Sequence, residues 1–412
     1  MVERVRRHKS DLAIWILTFI LLAIGLIIIY AIGPMRVNIL NSTYNSGFDS
    51  QYFFYHQLIN TGATIATLLI AYKLAKYDFL KKYSKWILIF GYSLSVILWI
   101  ATLAGLPLAK CELGECRWLN IAGISVQPSE VLKLCLILYL AGYLARKKEE
   151  GVIGKLRDFW VPLFITCGIA LGLVVVVQGD LGTGISLFVI ILGMLLVAGV
   201  PVWQVLIGLG IAAVVGVGAV LTSAHRMGRV SSWWTLLTGG EGSDSTYHIE
   251  NALLAIGSGG FFGVGIGNSV QATGYLPESI NDSIFAILGE TFGFLGLMII
   301  VALFFVLLSR IMKVAEQTSE LDKRLVVVGV FSWIASQVVI NIMAMTGLVP
   351  VTGITLPLLS YGGTSMAVIG FAIGLVLQLS CYTGREVNHN HENISSRRRE
   401  RGTRNTSSSR RS

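Results

Sequence analysis

The chain has 412 residues, of which 54% are hydrophobic and 13% are charged, and its mean hydropathy is +0.71. This composition is too apolar for a soluble globular protein. The net charge of +9 would suit a nucleic-acid-binding protein, but the basic residues lie in short segments between apolar runs, which indicates a membrane protein and no nucleic-acid partner.

Ten apolar stretches are each long enough to cross a bilayer, which takes about 20 residues per helix. Only helices and closed barrels satisfy their backbone hydrogen bonds in lipid, so we expect an all-α, polytopic membrane protein. The first stretch lacks a small-residue cleavage site and is interpreted as a retained helix. The predicted transmembrane helices cover roughly residues 12–32, 52–76, 83–105, 128–145, 159–178, 181–200, 201–222, 284–308, 324–346 and 365–382.

Basic residues are distributed unevenly between the two sets of loops. Of the 32 Lys and Arg residues, 26 lie in alternate segments: 1–11, 73–85, 146–157, 310–324 and 385–411. Five others lie in the opposite loops, and Lys133 lies inside the fourth predicted helix. The positive-inside rule therefore predicts that both termini are cytoplasmic.

The last segment, 383–412, is rich in Arg and Ser and poor in apolar residues, which predicts a disordered cytoplasmic tail. Its charges either serve as a positive-inside anchor or contact anionic lipid or a partner.

The opposite, extracytoplasmic face carries the longer loops, including one of about 60 residues, 223–283, between helices 7 and 8. Long loops often carry function, so we expect any chemistry on this face. Cys111 and Cys116 share an outer loop, where an oxidising exterior would permit a disulfide. The glycine-rich segment 257–267 never gives the spacing of a nucleotide-binding loop.

Polar residues gather near the outer membrane surface in four stretches, of which the first is "GECRWLNIAGISVQPSEVLKL" (114–134). It enters the fourth helix through Gln127, Ser129 and Glu130, and helix capping explains part of this pattern. Lys133 is not explained by capping, because an ammonium one turn inside a membrane helix is costly in contact with lipid. We expect Lys133 to face a polar cavity and to pair with an outer acid, with Asp282 as the leading candidate.

The third stretch, "GYLPESINDSIFAILGE" (274–290), contains three acids at the start of the eighth helix. Asp282 suits a helix N-cap, which is the structural alternative for this residue. Glu290 lies about 80° round the helix from Asp282. Two acids on one side of a membrane helix indicate a polar pocket. Glu278 lies just before this helix in the sequence.

The second and fourth stretches are "VVVVQGDLGTG" (174–184) and "GLVPVTGITLPLLSYGGTS" (347–365). Asp180 in the second stretch is best explained as a turn and cap residue. The fourth stretch is irregular backbone at membrane depth, which is tolerated where it lines a cavity. Its hydroxyl groups, including those of Ser360 and Thr364, could bind a phosphate or a sugar.

Together the four stretches predict one outward-facing polar pocket. Gln337 and Asn341 lie one turn apart on the ninth helix and face it, and Arg226 and Arg229 begin the long loop above it. Basic groups at a membrane surface bind phosphate, and a nearby carboxylate can act as a general base. A lipid-linked pyrophosphate would suit such a pocket.

The chain resembles the SEDS family of bacterial morphogenesis proteins, the FtsW, RodA and SpoVE group, over about residues 10–384. The matching segments follow the family's order: "QPSEVLKL" (127–134), "QGDLGTG" (178–184), "AIGSGGFFGVGIGNSVQATGYLPE" (255–278), "DSIFAILGE" (282–290) and "GLVPVTGITLPLLSYGGTS" (347–365). The last segment and the basic tail favour the division member, FtsW, over the elongation member, RodA.

The resemblance implies a glycosyltransferase that polymerises lipid II into peptidoglycan at the outer face of the bacterial cytoplasmic membrane. It also implies a class B penicillin-binding protein as partner, together with other divisome or elongasome membrane proteins. It places the family's catalytic acid at Asp282, the lysine after the QPSE motif at Lys133 and the glutamate of the LPE motif at Glu278.

The sequence departs from the family pattern around the catalytic acid. Ile280 and Asn281 stand where His-Thr is common, and Ser283 stands where Phe is common. The long loop reads "YHIEN", with His248, where Tyr-Gln is common, and Gly179 replaces a usual Pro. A histidine at position 280 therefore takes no part in this chain's chemistry.

The implied reaction is glycosyl transfer with inversion at the anomeric carbon. Asp282 takes the proton from the acceptor GlcNAc 4-hydroxyl, whose oxygen attacks the donor MurNAc, and undecaprenyl pyrophosphate leaves. An exposed Asp near pKa ~3.9 is a weak base, so positioning should matter more than basicity. The predicted substrate-binding residues are Lys133, Glu130, Arg226, Arg229, Glu278, Ser360 and Thr364. The sequence offers no metal-ligand set, although a divalent cation such as Mg²⁺ or Mn²⁺ would suit the leaving group.

Two other functions are left open by these residues. A lipid II flippase needs alternating access and usually an internal repeat, and no repeat is visible in the sequence. A non-catalytic scaffold for a penicillin-binding protein would need neither Asp282 nor Lys133.

Overall fold

The computed structural model describes residues 9–44, 47–112, 115–121, 123–221, 223–238 and 246–382. The predicted tail, 383–412, lies outside the described residues. The helices are α1 (Leu12–Tyr44), α2 (Tyr52–Lys73), α3 (Tyr77–Lys82), α4 (Ser84–Leu103), α5 (Pro128–Glu149), α6 (Val161–Leu171), α7 (Leu181–Ala198), α8 (Val202–Leu221), α9 (Ala224–Thr238), α10 (Tyr247–Ser258), α11 (Ile284–Gln317), α12 (Leu321–Met345) and α13 (Gly363–Ser380). Two π-helical segments, Leu156–Trp160 and Gly172–Val177, extend α6 at its ends.

Each of the ten predicted apolar stretches coincides with helical structure. Within the described residues, eight helices are long and apolar enough to cross a membrane. The apolar part of α8, Val202–Gly218, is shorter than these eight. α2 falls outside the eight because it is less apolar; its polar residues include His56, Gln57 and Asn60, of which Gln57 is buried. It packs on α13, where Thr67 Oγ1 donates to the carbonyl of Ala367 at 2.7 Å.

The segments predicted to share the cytoplasmic face meet at one end of the bundle. Arg310 Nη2 pairs with Asp11 Oδ2 at 2.7 Å, which joins the end of α11 to the start of α1. Lys81 Nζ pairs with Asp322 Oδ2 at the same distance, which joins α3 to the start of α12. A cavity of about 590 Å³ at this end is lined by Lys9, Arg310 and Lys313 among others.

The loop 106–127, which was predicted to lie on the extracytoplasmic face, contains a three-stranded antiparallel sheet, so the all-α expectation was incomplete. Its strands are β1 (Ala109–Glu112), β2 (Glu115–Ile121) and β3 (Ile124–Val126). Cys111 and Cys116 are paired across β1 and β2 and form a disulfide. Leu119, in β2, is buried. The strands are short and lie in a polar loop, so the sequence pattern did not predict them.

The predicted loop 223–283 also holds regular structure, namely α9, α10 and a 3₁₀ turn at Gln271–Thr273. Its glycine-rich segment fits a break in α11, where Gly293 has φ +68° and ψ −170°. Val264 N donates to the carbonyl of Glu290, and Phe294 N donates to the carbonyl of Gly260, each at 2.9 Å. Backbone groups released by a broken helix near lipid need such partners, and this segment supplies them.

The break divides α11 into two parts. The part after it, residues 294–317, is about 36 Å long, which suffices to cross a bilayer. Residues 284–290, before the break, are all buried within the protein. The turn that precedes α11 is therefore separated from the long segment 294–317 by the break and by the buried residues 284–290.

Gly259→Ala is expected to destabilise the protein by about 1–3 kcal/mol, the usual range for overpacking. A Cβ at Gly259 would overlap the carbonyl oxygen of Gly289 in α11, whereas a Cβ at Gly257, two residues earlier, would meet open space. Gly257→Ala is therefore the matched control. Thermal unfolding in detergent should show a lower midpoint for Gly259→Ala alone; equal midpoints would mean that the two segments are not in close contact.

Candidate active site

Asp282 lies in a tight turn immediately before α11. In this turn Glu278 adopts the left-handed conformation, with φ +49°, and its carbonyl accepts from Asn281 N at 2.9 Å and from Ser283 N at 3.2 Å. Ser283 is the N-cap residue of α11, and no side chain caps the helix. The alternative interpretation of Asp282 as a helix cap is therefore wrong.

The main chain of this turn is fixed from behind by α12 and the loop 347–362. Asn341 Nδ2 donates to the carbonyls of Asp282 and Ile354, each at 2.7 Å. Tyr361 N donates to the carbonyl of Ile280 at 2.9 Å. Because the backbone is held on both sides, substitutions of the Asp282 side chain need not disturb the turn.

At Gly353 the loop 347–362 approaches both the turn that holds Asp282 and the sheet strand that holds Arg117. Its φ is +73°, and a Cβ there would lie 3.8 Å from Arg117 Nη1 and 4.0 Å from Asp282 Oδ2. Arg117 Nη2 also donates to the carbonyl of Gly179 at 3.3 Å. Arg117 was not among the predicted site residues, because a single Arg in an outer loop gives no spacing signal.

The carboxyl group of Asp282 is buried, which corrects the expectation of an exposed, weak base. Burial is the main cause that raises its pKa, and the negative charge of Glu278 adds to it. Arg229 and a contact with Ser283 act in the opposite direction, and the resulting pKa of Asp282 is about 7. A carboxylate with a pKa near neutrality is well matched to general-base chemistry.

The two arginines predicted to lie over the pocket have different positions. Arg229 acts electrostatically on Asp282, and its Nη1 lies 3.5 Å from the carbonyl of Val351 in the loop 347–362. Arg226 Nη2 donates to the carbonyl of Val175 at 2.6 Å, in the π-helical extension of α6. Arg229 therefore belongs to the site, and Arg226 supports its wall.

The first two predicted stretches are joined by Gln127, whose Nε2 lies 3.4 Å from Asp180 Oδ2. Asp180 is the N-cap of α7 and accepts from Thr183 N at 2.9 Å. The interpretation of Asp180 as a cap residue is confirmed.

Lys133 pairs with an acid, but the partner is Glu130 and not Asp282. Lys133 Nζ lies 2.6 Å from Glu130 Oε1 and 4.8 Å from the centre of the Trp333 ring. Trp333 and Asn341 lie eight residues apart on α12, which is about 12 Å. Since Asn341 binds the main chain of Asp282, Lys133 lies about two helical turns deeper than Asp282, and this separation explains the wrong prediction.

This deeper cluster is closed by α13, from which Ser365 Oγ donates to Glu130 Oε2 at 3.1 Å. Lys133 is 0% exposed and Glu130 is 3% exposed. The two charges therefore contact each other, the Ser365 hydroxyl and the Trp333 ring, and they do not face lipid. Ser129 and Gln337 are buried in the same helices, α5 and α12.

The remaining predicted residues hold the surrounding loops. Glu290 accepts from Val270 N at 2.9 Å and from Gln271 N at 3.2 Å, so it fixes the outer loop and does not share a pocket with Asp282. Ser360 Oγ accepts from Leu356 N at 2.8 Å within its own loop. Thr364 Oγ1 donates to the carbonyl of Ser125 at 2.6 Å and joins α13 to the sheet.

Metal ligands do not cluster in the part of the chain that the structure describes: no group of three or more His, Cys, Asp or Glu side chains could hold an ion there.

The fold and the site define a multi-pass helical membrane protein. At one end of its bundle lies a buried carboxyl group, close to Arg117 and Arg229, whose pKa is about 7. The chain belongs to the family of FtsW, RodA and SpoVE cell-cycle proteins, whose family model matches residues 11–385.

Curated relatives match this chain over nearly their whole length. Stage V sporulation protein E of Bacillus subtilis is 35% identical over 382 residues, which cover 92% of this chain and 99% of that protein. A protein of Aliivibrio salmonicida named "Probable peptidoglycan glycosyltransferase FtsW" is 32% identical over 395 residues, covering 92% and 94% of the two chains.

Solved structures share the fold. The rod-shape-determining protein RodA of Thermus thermophilus has a TM-score of 0.64 and 23% identity, over 92% of this chain and 98% of RodA. A chain from a peptidoglycan synthase complex, described as coordinating polymerization and crosslinking, has a TM-score of 0.68 and 24% identity, over 90% of this chain and 97% of that one.

Proposed function

We propose that this protein is a peptidoglycan glycosyltransferase that polymerises lipid II into glycan strands. The observation that carries the proposal is the buried carboxyl group of Asp282, with a pKa of about 7 and with Arg229 and Arg117 close to it. A relative that is 32% identical over nearly its whole length is named for this activity.

In the proposed reaction Asp282 accepts the proton of the acceptor's GlcNAc 4-hydroxyl, and the resulting nucleophile attacks the anomeric carbon of the donor's MurNAc. The bond to undecaprenyl pyrophosphate breaks, and its electrons leave with the pyrophosphate. Arg229 and Arg117 lie near enough to Asp282 to stabilise the developing negative charge. Lys133 and Glu130 lie deeper and shape the bundle beneath the site.

The rate of glycan synthesis should rise with pH through about 7, because only ionised Asp282 accepts a proton. Glu278→Gln removes a charge that raises the pKa of Asp282, so the rise should move to lower pH. The turn should persist, since a glutamine oxygen can still accept from Asn281 Nδ2. The pH dependence of kcat checks this; a shift to higher pH would contradict the role given to Glu278.

We further propose that the protein lies in the bacterial cytoplasmic membrane with ten crossings, both termini inside and Asp282 outside. Reporter fusions after Lys82, Lys148 and Lys313 should then report a cytoplasmic position. Fusions after Ser258 and Thr352 should report an external one. A cytoplasmic signal at Ser258 or Thr352 would place the site in the wrong compartment for this substrate.

The proposed partner is a class B penicillin-binding protein, which would crosslink the strands. Support comes from the fold shared with a chain of a peptidoglycan synthase complex. The matches to FtsW and Stage V sporulation protein E favour a role in division or sporulation over elongation.

Purified protein in liposomes with labelled lipid II tests the proposal. Glycan product supports the polymerase. Relocation of lipid II without product would instead indicate a flippase, and neither outcome, together with tight binding of a penicillin-binding protein, would indicate a scaffold.

A further inference from the structure

Helix α10 brings a histidine to the turn that holds Asp282. His248 Nε2 lies 2.7 Å from Ser283 Oγ. Ser283 is fully buried, and His248 is partly buried at the start of α10. Neither side chain takes part directly in the proposed proton transfer.

The Ser283 hydroxyl has one proton to give and two oxygen acceptors within reach, besides the imidazole, whose Nε2 donates or accepts according to its tautomer. The carbonyl oxygen of Pro277 lies 2.8 Å from Ser283 Oγ, and Asp282 Oδ1 lies 3.5 Å from it. When one of these two oxygens receives the proton, the hydroxyl oxygen accepts from the imidazole, and His248 carries its proton on Nε2.

The surroundings of His248 favour a neutral imidazole. Burial and the positive charge of Arg229 lower its pKa to about 4. Arg229, on α9, acts on both His248 and Asp282, while Glu278 and Arg117 lie near Asp282 from the turn and from β2. From α11 and α12 the nearby groups are Ser283 and Asn341, which do not ionise.

We propose that His248 and Ser283 are positioning residues for Asp282, an inference that rests on the proposed function. The Nε2–H group of His248 fixes Ser283 Oγ. The hydroxyl proton turns to Pro277 O while Asp282 is protonated and to Asp282 Oδ1 while it is ionised. The pair thus stabilises the ionised carboxylate in which Asp282 accepts the substrate's proton.

His248 and Ser283 lie 35 positions apart, and the structure places them in contact. Within the turn itself, position 280 holds Ile280, which is buried and offers no polar side chain. In this chain the imidazole therefore reaches the turn from α10.

Kinetics of Ser283→Ala and of two His248 variants test the pair. A hydrogen bond to a charged group stabilises it, so Ser283→Ala should slow kcat about three- to tenfold near pH ~6 and little near pH ~8.5, with KM unchanged. His248→Leu should behave alike, whereas His248→Gln, which keeps an N–H donor, should retain most activity. Ser258→Ala, in the same helix, is the matched control because its hydroxyl bonds only within α10.

An equal loss of kcat at every pH would overturn the proposal, and so would a His248→Gln variant that is as impaired as His248→Leu. Nitrogen NMR of labelled histidine gives a readout that needs no activity: His248, identified by its loss in His248→Gln, should be the neutral Nε2–H tautomer near pH ~6. A charged ring or the Nδ1–H tautomer would also overturn it. If the wild-type protein makes no glycan, the proposed function fails, and the NMR result alone decides whether the pair exists.

Discussion

Asp282→Asn is expected to reduce glycan synthesis from lipid II by about 10²–10⁴-fold, the usual contribution of a general base. Asparagine has nearly the same shape, but its amide oxygen is not a useful base at neutral pH. The hydrogen bond from Asn341 Nδ2 ends on the main-chain carbonyl of residue 282, so the substitution leaves it in place. Polymerisation of labelled lipid II by the purified variant, at matched abundance, measures the effect.

Asp180→Asn makes the same chemical change at another buried outer acid and is the control. Asp180 caps α7, and asparagine caps helices about as well as aspartate, so activity should stay near that of the wild type. An Asp282→Asn variant with near wild-type rate would show that the base lies elsewhere. Glu278 would then be the next candidate, because Glu290 is occupied by the outer loop.

The helical bundle could be predicted because each crossing segment carries its own signal, an apolar run bounded by polar or basic residues. The strands β1–β3 carried no such signal, since they are short and lie in a polar loop. The break at Gly293 was also invisible, because it depends on backbone contacts with a segment about 30 residues earlier.

The outline of the site could be predicted from the sequence, but its contacts could not, because they join segments that are far apart along the chain. Costly polar residues near lipid marked the four stretches, and the structure joins them through Gln127, Arg117 and Asn341. The burial that raises the pKa of Asp282 depends on loops packed from several elements, which spacing along the chain does not reveal. His248 had a signal, its departure from the family pattern, but its contact with Ser283 needed the fold.

Lys133→Met is expected to destabilise the protein by about 3–5 kcal/mol, the usual result of removing one partner from a buried ion pair. The variant leaves Glu130, which is 3% exposed, with a hydroxyl from Ser365 but no cation. The loss of stability should appear as reduced abundance of the variant in the membrane. Membrane content and thermal unfolding in detergent measure it.

The double variant Glu130→Gln/Lys133→Met separates stability from chemistry. It removes both charges, and replacing a whole buried pair by neutral groups of similar size often costs little, so abundance and the unfolding midpoint should largely recover. Because Lys133 lies about two turns of α12 below Asp282, activity per folded molecule should recover with them. A double variant that is stable yet inactive would show that the Lys133 charge acts on the substrate itself, and the deeper cluster would then belong to the catalytic site.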